Sequence, residues 1–231
     1  MNIIDSPSPN FDERGRKVDT IVLHYTGMRT GGEALGRLCD PAAKVSAHYL
    51  IEEDGRVFRL VAEENRAWHA GVSSWKGEGE INARSVGVEI VNPGHEWGYR
   101  EFPPPQIDAL IDLLKGVAAR HEVSLSRVVG HSDIAPERKD DPGEKFPWAR
   151  LAAEGLAVGP YQGGPDETID YADALSALMA IGYAVGEAAP GAPAPAAALV
   201  AFQRRFCPSA LAQGWNPLTK AALLWAAEKM R

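Results

Sequence analysis

Apolar residues draw the first outline of this chain, because their period changes from segment to segment. Ile21-Val22-Leu23 is an aliphatic run that closes on His24 and Tyr25, and Ala47 to Ile51 is a second short apolar block; both read as strands. Glu53-Asp54-Gly55 is a tight-turn signal leading into Arg56 to Val61, whose Val57 and Phe58 suit a sheet, so a hairpin is predicted here. Val86, Val88 and Ile90 alternate with Gly87 and Glu89, a strand period that sends Glu89 to the face opposite the three aliphatics. From Pro105 to His121 the period lengthens. Ile107, Leu110, Ile111, Leu114 and Val117 recur at helical spacing behind Pro103 to Pro105, which predicts an amphipathic helix laid over one face of a sheet. Alternating strands and helices make this part of the chain an α/β unit.

Past Trp148-Ala-Arg-Leu151 the pattern shifts. Residues 155–164 are rich in Gly and Pro and read as a linker. Tyr171 to Tyr183 then carries Leu175, Leu178, Met179 and Gly182 in a helical pattern, Glu187 to Pro195 reads as an Ala/Pro/Gly loop, and Ala197 to Phe206 and the stretch from Asn216-Pro217 onward read as two further helices. The expected division is an α/β domain over 1–154, a linker over 155–164 and a small all-α domain over 165–231.

At 231 residues the chain has room for one domain of ordinary size and a small second one, and 45% hydrophobic residues suffice for a core. Lys and Arg number 24 against 31 Asp and Glu, a net charge of −7 with no basic stripe. That balance argues against a general nucleic-acid binder, whose phosphate affinity is built from clustered cations. Cys39 and Cys207 stand far apart in dissimilar contexts, so no disulfide framework is expected and a reducing compartment is acceptable. Met1 to Asn10 lacks the basic segment and apolar stretch of a secretory signal, and nothing later reaches the roughly 18 apolar residues that span a bilayer. The expectation is a monomeric cytoplasmic protein, with export as the alternative if a signal was trimmed.

Candidate chemistry enters through three separated residues. His24 ends one apolar run, His131 follows Val128-Val129-Gly130, and Asp141 stands in Lys139-Asp-Asp141-Pro-Gly143. Two imidazoles and a carboxylate suit a catalytic zinc, which takes three protein ligands and leaves the fourth position to water. Their spacing is not that of a short motif such as His-Glu-x-x-His, and a histidine at a strand end is more often structural than a ligand. Glu89 is similarly open. A carboxylate in a valine-rich strand is costly to bury unless it meets a proton, a cation or water, so it is either a general base or an edge-strand residue facing solvent.

A fuller string of blocks bears on both. Thr20-Ile-Val-Leu-His24-Tyr-Thr-Gly27, Val45-Ser-Ala-His48-Tyr-Leu-Ile51, Ala67-Trp-His69-Ala-Gly71, Ser85-Val-Gly-Val-Glu89-Ile-Val-Asn92 and Gly130-His131-Ser-Asp-Ile-Ala-Pro136 through Gly143 follow one another in order. Together they resemble the zinc N-acetylmuramoyl-L-alanine amidases of the bacterial peptidoglycan-recycling type, over roughly residues 18 to 150. The resemblance implies a mixed sheet flanked by helices and hydrolysis of the amide joining the lactyl group of N-acetylmuramic acid to L-alanine. It implies one zinc per chain on His24, His131 and Asp141, with Glu89 as general base. Lys139 stands two residues before Asp141, so both project to one side of an extended segment, and the resemblance makes it an oxyanion donor. Charge density alone would leave it a surface lysine of the run Glu137 to Asp141.

The same resemblance has Trp68 and His69 line the substrate cleft, with His48 and Asn92 as further substrate contacts; were His69 a ligand, Asp141 could not be one. Related phage-type and innate-immunity amidases tend to carry a catalytic Tyr just before the position of His48, where this chain has Ala47, a departure that leaves the work to Glu89. Asn92 to Phe102, with His95, Trp97 and Tyr99, reads as a long loop able to offer aromatic surface to a sugar or to pack on itself. Ala201-Phe-Gln-Arg-Arg-Phe206 and the Thr219-Lys-Ala221 helix start resemble peptidoglycan-binding modules of wall hydrolases, although the Ala/Pro insertion departs from that compact pattern and a structural helical cap is the alternative. The expected partners are peptidoglycan fragments or muropeptides. Three functions stay open: a zinc amidase, a non-catalytic muropeptide-binding protein of the same fold, and a zinc peptidase cutting within the stem. Joint retention of the ligand set, Glu89 and Lys139 favours the first, since a pure binder has no need of an open metal position. No residue speaks to whether the sugar carries a 1,6-anhydro ring.

Overall fold

The computed structural model describes residues 2–185 and 196–231. The elements run β1 (Ile3–Asp5), β2 (Phe11–Glu13), β3 (Thr20–Tyr25), α1 (Gly31–Cys39), β4 (Tyr49–Ile51), β5 (Val57–Arg59), β6 (Asn65–Ala67), α2 (Ile81–Arg84) and β7 (Ser85–Ile90). They continue with α3 (Gly94–Trp97), α4 (Pro104–His121), β8 (Val128–Gly130), α5 (His131–Ile134), α6 (Trp148–Ala153), α7 (Tyr171–Ile181), α8 (Ala196–Phe206) and α9 (Pro217–Lys229).

Six strands form one sheet in the order β1-β5-β4-β7-β3-β8. The β7, β3 and β8 strands are parallel, β4 joins β7 in parallel, and β4 and β5 pair antiparallel as the hairpin that the Glu53-Asp54-Gly55 turn predicts. The sheet is therefore mixed and helix-flanked, as expected. β2 and β6 form a separate antiparallel pair. The short β1, β2 and β6 carry too few apolar positions to be read from the chain alone; their pairing makes them strands.

Alternation along the central strands divides the core in two. Ile21, Leu23, Val86, Val88, Ile90 and Val128 face α4, whose Ile107, Leu110, Ile111, Leu114 and Val117 close over them with Phe146 and Trp148. The helical period picks these α4 residues out in advance, and Pro103 to Pro105 mark the start because proline suits a first turn whose N–H groups have no partner. On the other face Val22 and Val129 pack with Trp75, Ile81 and Ile134 against Leu178, Ile181, Phe202, Phe206, Leu223 and Met230. The three C-terminal helices thus share one apolar cluster with the sheet. Residues of 155–164 take part as well: Leu156 and Ala157 are buried in the α4 cluster and Val158 in the C-terminal one. The Ala/Pro/Gly stretch Glu187 to Pro195 lies outside the described residues. In the 92–102 segment, expected as a loop, residues Gly94–Trp97 turn once as α3.

Candidate metal centre and cleft

The polar side chains of interest gather where the parallel strands end, the usual place for a ligand in an open α/β sheet. His24 is the fifth residue of β3 and pairs in register with Glu89 on β7, so their side chains leave the same face of the sheet. His131 opens α5 directly behind β8. Asp133 steadies that start by accepting the Gly130 N–H at 2.8 Å. Asp141 comes from an irregular segment fastened by the Ser132 N–H to its own carbonyl at 2.8 Å.

Three donor atoms converge from these elements. His24 Nδ1 lies 2.9 Å from His131 Nδ1 and 3.0 Å from Asp141 Oδ2, and His131 Nδ1 lies 3.2 Å from the same oxygen. All three residues are buried, and they form the one group among the described residues able to hold a metal ion through three His, Cys, Asp or Glu side chains. The far nitrogens prepare them for that. His131 Nε2 donates to the Ala70 carbonyl at 3.1 Å, leaving Nδ1 with a free lone pair. His24 Nε2 is 3.0 Å from His69 Nδ1, while His69 Nε2 is 3.2 Å from Ser85 Oγ, which donates to the Ile81 carbonyl at 2.6 Å. Followed from the Ile81 carbonyl, this chain assigns the protons: Ser85 donates, His69 donates to Ser85, and His24 donates to His69 with its Nδ1 lone pair turned toward Asp141. Burial, then the neighbouring His131, lowers the His24 pKa to about 4, so its imidazole is neutral, the form that ligates a metal. Burial pushes Asp141 up, but His131 and His24 outweigh it and hold the carboxyl well below its usual range.

Around this cluster opens a cleft of about 330 Å³, lined among others by Tyr25, Arg37, Trp68, Glu89 and Lys139. Glu89 Oε2 is sealed from solvent without a hydrogen-bond partner. Burial foremost, with the Asp141 charge adding and Lys139 opposing, holds its carboxyl well above the ordinary range. A carboxylate in that setting is poised to take a proton rather than rest as an ion.

The structure brings His24, His131, Asp141, Glu89, Lys139, Trp68 and His69 to one cleft. It corrects the expectation for two others. His48, read as a substrate contact, is fully buried behind the cleft: its Nδ1 accepts the Gly87 N–H at 2.9 Å and its Nε2 meets Arg14 Nη2 at 2.7 Å. Burial and the Arg14 charge lower its pKa to about 3, so it is a neutral bridge between β4 and β7. Asn92, also read as a substrate contact, is fully buried and spans its own loop, donating to the Arg100 carbonyl at 2.8 Å and accepting the Gly94 N–H at 3.1 Å. Both sit in blocks that otherwise reach the cleft, and sequence position cannot tell a lining residue from the one behind it.

Two features escaped the sequence reading. His69 stacks over Gly87, where an added Cβ would come within 2.5 Å of the ring, so the glycine in the β7 pattern marks the space that lets His69 reach His24. Arg37 points from α1 into the cleft, and only the face chosen by Ala34 and Leu38 against the sheet could have signalled it.

Comparison with known proteins now decides the family. The Amidase_2 family, N-acetylmuramoyl-L-alanine amidase, matches residues 14–144. This chain belongs to the N-acetylmuramoyl-L-alanine amidase family. The amidase AmiD of Escherichia coli (strain K12) is 37% identical over 190 residues, 73% of this chain and 68% of the relative. The fold of the E. coli AmiD complex with anhydro-N-acetylmuramic acid-L-Ala-D-gamma-Glu-L-Lys superposes with a TM-score of 0.81 at 33% identity, covering 97% of this chain and 93% of that one. AmpDH3 from Pseudomonas aeruginosa in complex with anhydromuramic pentapeptide gives 0.78 at 32% identity, covering 97% and 95%. The match to each runs through the C-terminal helices as well as the family region.

Proposed function

We propose that this amidase-family chain hydrolyses the amide between the lactyl group of N-acetylmuramic acid and the L-alanine of the stem peptide, with a zinc ion held by His24, His131 and Asp141. The convergence of two imidazole Nδ1 atoms and one carboxylate oxygen beside a proton-hungry Glu89 carries this reading. Donor separations of 2.9 to 3.2 Å are near those of three ligands each about 2.0–2.2 Å from one ion, and the nitrogen and oxygen donor set is one zinc accepts. Zinc supplies Lewis acidity, bringing the ionisation of water toward neutral pH and polarising the scissile carbonyl.

The chain's own residues supply the remaining steps. Glu89 takes the proton of the attacking water, being the carboxylate whose protonated form its surroundings favour. Lys139 donates toward the oxygen on which negative charge develops as the carbonyl becomes tetrahedral. Glu89 then returns the proton to the L-alanine nitrogen, and the C–N bond breaks to leave a lactyl carboxylate and a free amine. Trp68 and Arg37 line the cleft wall, offering an apolar face to the substrate and a cation to its carboxylates. The relatives' complexes with anhydro-muramyl peptides support the 1,6-anhydro fragment as the preferred sugar form. No helix among the described residues is long and apolar enough to cross a membrane.

Digestion of matched muropeptides, with and without the anhydro ring, and identification of the products by mass tests the proposal. The expected products are a stem peptide beginning with L-alanine and an intact lactyl sugar. A cut within the stem would make the chain a peptidase, and an uncut substrate bound by zinc-loaded protein would make it a binding protein.

A further inference from the structure

Helix α8 carries two adjacent arginines, Arg204 and Arg205, which the helical turn of 100° per residue sends to different neighbours. Arg205 is buried. Its Nη1 donates to Asp133 Oδ2 at 2.7 Å and its Nη2 to the Val128 carbonyl at 3.0 Å, while the guanidinium lies 4.0 Å over the Trp148 ring. The other oxygen of Asp133 accepts the Tyr183 hydroxyl at 2.5 Å. The C-terminal region therefore satisfies both oxygens of the residue that caps α5, the turn that presents His131. Arg204 points the other way. Its Nη2 is 2.8 Å from Asp140 Oδ1, while its Nε, buried without a hydrogen-bond partner, lies 3.4 Å from Glu144 Oε2 as a longer ion-pair contact, so its charge meets the irregular segment on both sides of Asp141, most closely at Asp140.

We propose that Arg204 and Arg205 are positioning residues of the metal centre, α8 acting as the plate that fixes α5 and the 139–144 segment relative to each other. This rests on the metal reading above, and it assigns the C-terminal helices work at the catalytic site beyond any affinity for cell wall. The physical need is clear from the elements. His24 sits on a central strand flanked by two others, but Asp141 belongs to no regular element, and His131 belongs to a single turn. Ligands must be held to within roughly 0.5 Å to bind well, and partners behind the ligands carry that precision. Arg204 does so from an 11% exposed side chain, and although solvent screens its 56% exposed Asp140 partner, the buried guanidinium end holds the contact in place.

The full chain tests this with zinc affinity measured by chelator competition, and with amide exchange of residues 139–144 in the metal-free protein. Arg204→Gln should weaken zinc binding by about tenfold and speed that exchange, with the unfolding midpoint little changed, and Arg204→Lys should recover part of the loss. Asp140→Asn, at a largely exposed position, should give a similar loss, and the double variant should lose no more than either single one. It also carries the test should Arg204→Gln not fold. Unchanged zinc affinity and exchange in both single variants, or losses that simply add, would overturn the proposal. Zinc binding absent from the parent chain would sink the metal reading instead, with exchange at 139–144 still deciding whether α8 holds the segment.

Discussion

The two faces of the central sheet are built from the same strands and do opposite things. Toward α4, the β3, β7 and β8 strands present Ile21, Leu23, Val86, Val88, Ile90 and Val128, and the polar side chain laid against them is Gln106, whose Nε2 bridges the Ile51 and Val91 carbonyls. Toward the C-terminal helices the intervening positions include Val22, Val129, His24, Gly87 and Glu89, so two of these five are ionisable and one is a glycine that makes room for His69. Strand alternation lets one set of residues stabilise while the next set does chemistry. The cost of burying His24 and part of Glu89 is offset on the α4 face, where the aliphatic side chains contribute apolar burial.

Changes on the two faces should therefore separate cleanly. The largest effect is expected from His131→Ala, which should remove most bound zinc and with it the activity, as chelation does for the parent; near-stoichiometric zinc by metal analysis would break the assignment.

Glu89→Gln should keep zinc and lower kcat by roughly 10² to 10⁴. It also has a signature in pH. Because burial holds the folded Glu89 pKa above the ordinary 4.5, the metal-free fold favours its protonated form, and the residue withdraws stability as pH rises through that raised value. Metal-free Glu89→Gln should thus match the parent in denaturant below pH 4.5 and exceed it in the alkaline range. The reverse order would mean that a cation, not burial, governs the group.

Lys139→Met is expected to lower kcat on the order of 10² with KM and zinc content nearly unchanged, and turnover at the parent rate would remove it from the oxyanion role. On the other face, Leu110→Ala should lose about 2–5 kcal/mol of stability to unmet burial. Zinc affinity of the folded fraction should stay at the parent value, and a large drop would mean that the faces are coupled through the sheet.

Much of this was legible from the chain. The periods of residues 21–25, 86–90 and 105–121 carry their elements, since alternation and helical spacing are local properties of side chains. The donor residues could be named because His24, His131 and Asp141 each stand in a block that resembles the amidase family. What escaped has a common physical origin. His48 and His69 have similar neighbours in sequence, yet one is walled behind β4 and β7 by Arg14 while the other faces the cleft over Gly87. The Gly and Pro content of 155–164 marks an irregular backbone, which does not say that Leu156 and Val158 would each be buried in a different core.

By itself, then, the sequence determined the strand and helix faces and the carboxylate that stands opposite Val86, Val88 and Ile90, because these follow from side-chain period within a few residues, and the resemblance of their blocks to the amidase family supplied the ligand types. The tertiary structure alone decided that three donors spread over more than a hundred residues would meet within 3.2 Å, that His69 would orient His24, and that Arg204 and Arg205 would reach back from α8 to the segments holding Asp141 and His131. Those contacts depend on how the sheet stacks its strands and where the C-terminal helices dock, and long-range packing leaves no local period to read.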